Sequence, residues 1–261
     1  MPQSSTQSSS TPAQPAQGSA STTTGVPADW RSIGIDPAAP SSTSFAAAQA
    51  TAALTVLATL PVKGRAPKTG YARAQFSTNP GNSKADVWTD DSDTGLDAPF
   101  AHNGCDTRND ILGRDMSGVS YKSGTHCKVL TGVLADPYTA TTIDFVCGPK
   151  ATTTGACQSS SQYAERVQID HVDALSDAWQ TGAQSWDTTT RVAFANDPLN
   201  LLAVDGPTNE SKGDGDAASW LPANKAFRTS YVARQVAVKA KYGLWVTPAE
   251  HDAIARILQG A

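Results

Sequence analysis

The sequence predicts an α+β fold with small sheets, and three observations carry that reading. Two β-rich runs, Lys128–Ala135 and Thr141–Cys147, flank the turn segment Asp136-Pro137-Tyr138-Thr139-Ala140 and read as a hairpin. Two further strand-like runs lie at Arg166–Val172 and Leu199–Val204. Two helices with recognisable end signals close the chain.

Taken in order, residues 1–25 are all Ser, Thr, Gln, Ala, Pro or Gly apart from Met1. Such a segment buries too little apolar surface to offset an ordering entropy of about 1–2 kcal/mol per residue. The bias fades by about residue 43, so 1–43 reads as a flexible spacer and 44–261 as one globular domain. A helix is expected over Ser44–Leu60, where Ala50, Leu54 and Leu57 share a face and Pro61 stops it. Thr107–Arg114 reads as a second helix, and Leu175–Thr181 and Thr188–Ala195 as short ones. A long helix is expected over 224–242, with Gly243 as its C′ residue. The last opens on Thr247-Pro248-Ala249-Glu250, a capping box with proline at N1.

Across 261 residues, 20 basic and 24 acidic side chains give a net charge of −4. That excludes a protein coating nucleic acid through bulk charge and leaves room for a local basic face. The charge-free stretch Pro37–Val62 is interrupted by Pro37, Pro40 and Pro61 and by Ser, Thr and Gln, so no membrane span is expected. Met1-Pro-Gln-Ser-Ser-Thr offers neither a basic n-region nor an apolar h-region, and the start is read as the boundary of a mature or shortened chain rather than as a sign of a cytosolic protein.

Four cysteines, Cys105, Cys127, Cys147 and Cys157, show no CxxC or CxxH spacing, which argues against zinc. Of three possible pairings, Cys105–Cys127 and Cys147–Cys157 each close a short loop beside the hairpin; four buried free thiols are the alternative. With the Ser/Thr/Pro/Gln spacer, disulfides point to a secreted or cell-surface-tethered protein.

The chemistry-bearing stretch is Gln168-Ile169-Asp170-His171-Val172-Asp173-Ala174-Leu175. It is followed by Asp197-Pro198-Leu199-Asn200-Leu201-Leu202-Ala203-Val204 and then Asn209-Glu210-Ser211-Lys212-Gly213-Asp214. An Asp-His at a strand end, an Asn on a second strand and an Asn-x-x-Lys on a short helix together resemble the HNH, or ββα-metal, endonucleases. The nearer likeness is to the branch holding the nuclease domain of GmrSD-type restriction enzymes and many exported bacterial nucleases. Gly70–Phe76, Gly104–Leu112, Leu134–Tyr138 and Trp220–Lys225 also look like segments of the exported members, so the likeness spans roughly 45–258. Two positions depart from it: Ala174 stands where many relatives carry proline, and Asp173 where they carry an apolar residue.

The resemblance implies a ββα-metal catalytic core at about 163–215, embedded in a mostly helical domain. His171 would be the general base, suited by an unperturbed pKa of about 6.5. Asp170 and Asn209 would hold one Mg²⁺ or Mn²⁺ through oxygen. Asn200 would orient His171 by a hydrogen bond across the strand pair, with a backbone carbonyl holding the imidazole Nδ1–H. The implied reaction is hydrolysis of DNA, with RNA as the alternative, leaving 5′-phosphate and 3′-hydroxyl ends. The protein is expected to act as a monomer.

The window between Asp216 and Glu250 holds Lys225, Arg228, Arg234, Lys239 and Lys241 and no acid. Lys225 and Arg228, at i,i+3, are expected to contact phosphates, and Lys212 to reach the scissile one. Arg108 and Asn109 are expected to pack against or hydrogen-bond the catalytic strand pair. Asp173 is expected to face solvent, with a place near the metal as the alternative. Thr89–Asp97 resembles a Ca²⁺ loop in composition but lacks the EF-hand spacing, so Ca²⁺ at Asp90–Asp97 is a secondary expectation. The alternative to a nuclease is a non-catalytic extracellular Ca²⁺-binding surface module.

Overall fold

The computed structural model of the protein describes Met1 and residues 29–41, 44–90, 100, 102–148 and 166–261. Among these are seven α-helices and two small antiparallel sheets. The chain runs through α1 (Ala47–Leu57), α2 (Thr107–Asp115), β1 (Met116–Tyr121), β2 (Val129–Ala135), β3 (Thr142–Val146) and β4 (Val167–His171). It continues through α3 (Leu175–Gln180), α4 (Thr188–Ala195), β5 (Leu201–Asp205), α5 (Gly206–Lys212), α6 (Arg228–Tyr242) and α7 (Pro248–Gln259).

Helix ends follow local chemistry. Asp106, Asp187 and Asp205 each accept a backbone N–H three residues on, opening α2, α4 and α5. Thr247 and Glu250 form the expected reciprocal capping box of α7, with Pro248 at N1. Gly243 ends α6 at φ 66°, the left-handed turn that glycine adopts without a Cβ clash. α6 starts four residues later than expected, because Lys225–Phe227 form a separate 3₁₀ turn capped by the Asn224 side chain.

One sheet has the order β1-β2-β3, the other pairs β4 with β5. The β2–β3 hairpin matches the expectation. Asp136 closes its turn by accepting the Thr139 N–H at 2.8 Å, and Ala140 adopts φ 61°. β1 was not foreseen: Met-Ser-Gly-Val-Ser-Tyr carries little strand signal, and it is an irregular edge strand drawn in by pairing with β2.

The β4–β5 pair lies between two hydrophobic clusters. Val172, Leu202 and Val204 join the larger one with α1, α6 and α7, while Val167, Ile169, Leu201 and Ala203 join one shared with the first sheet. Burial on both faces explains why Leu201–Val204 is continuously apolar rather than alternating. Its register sets His171 opposite Leu201 and Asp170 opposite Leu202.

Packing begins earlier than the expected boundary at residue 44. Trp30 and Ile33 are buried, and their 3₁₀ turn packs on α1 and α6. The rest of the expected spacer, apart from Met1, 29–41, lies outside the described residues. Cys105 and Cys127 form the first expected disulfide. Cys157 lies outside the described residues, and with it the second expected pairing. No helix among the described residues is long and apolar enough to cross a membrane.

Candidate active site

Asp170 and His171, at the end of β4, and Asn209, on α5, line one cleft of about 670 Å³. Three cations from earlier in the chain, Lys68, Arg73 and Arg108, line it as well. Three residues selected from the sequence for metal binding and catalysis are thus brought together.

The imidazole of His171 is 5% exposed and is held at its edge and its face. Nε2 lies 2.9 Å from the carbonyl oxygen of Ala195, an atom that only accepts, so Nε2 carries the hydrogen and the neutral ring presents its lone pair at Nδ1. This reverses the expected tautomer. The indole of Trp88 stacks on the ring at 5.2 Å with planes 7° apart. Trp88 is anchored through Asn196, whose Oδ1 accepts the Thr89 N–H and whose Nδ2 donates to the Val87 carbonyl. Adjacent residues of one segment, Ala195 and Asn196, therefore fix both the imidazole and the ring that covers it. Burial holds the His171 pKa well below the ordinary histidine range, with Arg73 adding to the effect.

Asn200 does not bond the imidazole, contrary to expectation. Its Oδ1 accepts the Asp173 N–H at 2.8 Å and its Nδ2 donates to the Asp173 carbonyl at 3.3 Å. It pins the chain two residues past His171 and acts on the ring only through the backbone.

Both oxygens of Asp170 are engaged. The Tyr138 hydroxyl donates to Oδ2, and Lys212 Nζ lies 2.8 Å from Oδ1. The same ammonium donates to the His171 carbonyl at 2.7 Å. Lys212, expected to reach a phosphate, is 3% exposed and points away from solvent, because a carboxylate and a carbonyl buried beside α5 require its charge. Burial raises the Asp170 pKa, and Lys212 opposes that rise.

Asn209 donates through Nδ2 to Gln168 Oε1 at 2.8 Å, leaving its amide oxygen without a hydrogen-bond partner among the described residues. Carboxylate and amide oxygens are hard donors, the class that divalent cations take, and here the carboxylate is also held by Lys212 and Tyr138.

The expected basic helix is largely turned inward. Arg234 donates to the carbonyls of Pro198 and Leu199, and Lys241 pairs with Asp197 at 2.6 Å. Lys239 is fully buried, 3.7, 3.1 and 3.1 Å from Asp173, Asp177 and Glu250. Oxygens of those three carboxylates lie within 4.8 Å of one another, close enough for a metal ion, and the Lys239 ammonium already supplies a cation there. Asp173, expected to face solvent, is instead buried, and its pKa is pushed up to about 8. Lys225 remains exposed and Arg228 half-buried, its Nε on the Pro222 carbonyl at 2.8 Å; neither lines the cleft.

Sequence reasoning missed Arg73 and Trp88; Arg108, expected with Asn109 to pack against or hydrogen-bond the catalytic strand pair, lines the cleft, while Asn109 accepts the Val129 N–H of β2. Arg73 sits in a segment that carried the family likeness without an assigned role, and nothing in the sequence singled out Trp88. Of the candidate Ca²⁺ loop, Asp90 accepts the N–H groups of Asn103 and Gly104 through its two carboxylate oxygens, and residues 91–97 lie outside the described residues.

The cleft brings together a buried imidazole whose Nδ1 has no hydrogen-bond partner among the described residues, oxygen donors and cations. Residues 106–257 match the family model of the C-terminal domain of GmrSD restriction endonucleases. The chain is also 33% identical over 211 residues to a protein of Arthroderma benhamiae described as an uncharacterized secreted protein, covering 80% of this chain and 84% of that one. No solved structure matches. The chain belongs to the GmrSD C-terminal domain family. That membership suggests a nuclease-type function, with nucleic acid as substrate class and a divalent metal as cofactor class.

Proposed function

We propose that the protein is an exported HNH-type endonuclease that hydrolyses phosphodiester bonds of DNA, with RNA as the alternative substrate. The observation that carries this reading is the convergence of Asp170, His171 and Asn209 on one cleft, at the end of an antiparallel strand pair that leads directly into a short helix. That unit would serve as the ββα-metal core. Asp170 and Asn209 would hold one Mg²⁺ or Mn²⁺, which when bound supplies stabilisation of charge on the phosphoryl group. His171 Nδ1 takes a proton from water as the water oxygen bonds to phosphorus. The bond to the 3′ oxygen breaks, and that oxygen takes a proton from solvent water to become a 3′-hydroxyl, leaving a 5′-phosphate, while His171 returns its proton to solvent. Tyr138 and Lys212 orient the Asp170 carboxylate, and Asn200 fixes the backbone behind His171.

Lys225 and Arg228 would touch phosphates flanking the cleft. Asn224 ties this segment to the β2–β3 turn by donating to the carbonyls of Tyr138 and Pro137. Export is supported by the Cys105–Cys127 disulfide and by the secreted description of the Arthroderma benhamiae relative. The test is cleavage of supercoiled plasmid and of RNA with Mg²⁺, Mn²⁺, Ca²⁺ or EDTA, with His171→Ala alongside. Cleavage that needs Mg²⁺ or Mn²⁺ and falls about 10²–10⁴-fold in a folded His171→Ala protein is expected. No cleavage under any condition would overturn the reading in favour of a non-catalytic extracellular module.

A further inference from the structure

Arg73 and Arg108 form no hydrogen bond or ion pair with any described residue, although both line the cleft. Three arginines elsewhere in the fold are paired from within: Arg65 with Asp177 and Asp216, Arg114 with Asp115, and Arg234 with two carbonyls. Arg108 is half-buried, and desolvation pulls its pKa below the ordinary arginine range. Asp106 and Asp86 offset part of that effect without contacting the guanidinium, and Arg73 is exposed, so both groups keep N–H donors available to an anion in the cleft. The remaining cleft charges are mostly satisfied from within. Lys68 pairs with Asp214 at 2.8 Å and Asp170 with Lys212, leaving Glu210, which accepts a hydrogen bond from Gln168.

The cleft's aromatic rings are covered. Trp88 has His171 stacked against it and the Arg73 guanidinium 5.9 Å from its centroid. Tyr71 carries the Lys68 ammonium 5.2 Å from its centroid and meets Trp179 in a T-shaped contact. Neither ring is placed as an open platform for a nucleobase.

We propose that this cleft grips nucleic acid by its phosphates, through Arg73 and Arg108, without reading the bases. The inference rests on the nuclease reading and adds the two groups that hold the substrate and the kind of recognition they provide. Guanidinium groups match the paired non-bridging oxygens of a phosphodiester, and phosphate contacts position a strand without carrying sequence information. Arg73 and its partner Trp88 lie upstream of the segment that matches the family model.

The test measures binding of the full chain in EDTA to 20-base-pair DNA duplexes of A·T-only, G·C-only and mixed sequence, from 50 to 200 mM salt. The wild type is expected to bind all three within about threefold of one another, as phosphate-led binding requires. Arg73→Gln with Arg108→Gln should weaken binding to each duplex about tenfold and reduce the slope of log K against log salt by about 2, one per lost phosphate contact. Circular dichroism verifies the fold, and Arg73→Gln with Arg108→Lys is used if the first pair unfolds. An unchanged slope in the double variant, or a strong preference for one duplex, overturns the proposal. If the wild type cleaves nucleic acid while either result holds, the phosphate grip fails and the nuclease reading stands. If the wild type neither binds nor cleaves, both fall.

Discussion

Lys212 Nζ lies 2.8 Å from Asp170 Oδ1 and 2.7 Å from the carbonyl oxygen of His171, so one ammonium ties α5 to the end of β4. Together with the Tyr138 hydroxyl, it fixes the carboxylate beside the imidazole. Removing it strands a buried carboxylate, and one-sided loss of a buried ion pair destabilises by about 3–5 kcal/mol. Lys212→Ala should therefore lower the urea midpoint by that equivalent. A change within about 0.5 kcal/mol, as at an ordinary surface lysine, would return Lys212 to the solvated face.

Asn209 is half-buried, and its amide oxygen has no hydrogen-bond partner among the described residues. Asn209→Ala should leave the urea midpoint nearly unchanged and raise the Mg²⁺ or Mn²⁺ concentration at half-maximal cleavage by about tenfold or more. A metal titration that overlays the wild type would remove Asn209 from the ligand set.

Asp173 faces Lys239, with Asp177, Glu250 and Arg65 completing the cluster. Its folded pKa of about 8 stands above an unfolded value of about 3.9. Between those values the folded state holds the extra proton, so this group's contribution to stability is full below pH about 4 and lost as pH rises through about 8. Asp173→Asn should flatten that decline. Urea midpoints at pH 5 and pH 8.5 measure it; a wild-type slope retained in the variant would place the titration elsewhere.

The Cys105–Cys127 bond closes a loop with a sequence separation of 22 and secures the start of α2, which carries Arg108. Loop-closure entropy for that span corresponds to about 3 kcal/mol. Cys105→Ser should lower the thermal midpoint accordingly, and reductant should leave a smaller additional effect in the variant than in the wild type. Equal sensitivity of both proteins to reductant would show that another bond carries it.

Helix ends were legible because a cap involves residues three apart: Asp187 with Thr190, Thr247 with Glu250. The β4–β5 pair was legible as two apolar runs, and Asp170, His171 and Asn209 as a spaced series of chemistry-bearing side chains. β1 was not, because Gly118 and its serines adopt a strand only when β2 supplies the partner.

The sequence by itself determined most of the helices, the β2–β3 and β4–β5 strands and which residue types could meet, since propensity, capping and hydrophobic pattern act over a few positions. Tertiary packing decided where each charge points. Lys212, Arg234 and Lys239 read as a basic surface in one dimension, yet each turns inward to a carboxylate or carbonyl supplied from elsewhere in the chain. Arg73, Trp88 and Arg108, far earlier in the chain, instead complete the cleft around His171. The reason is that desolvation and ion pairing depend on neighbours brought together by folding, which local sequence does not specify.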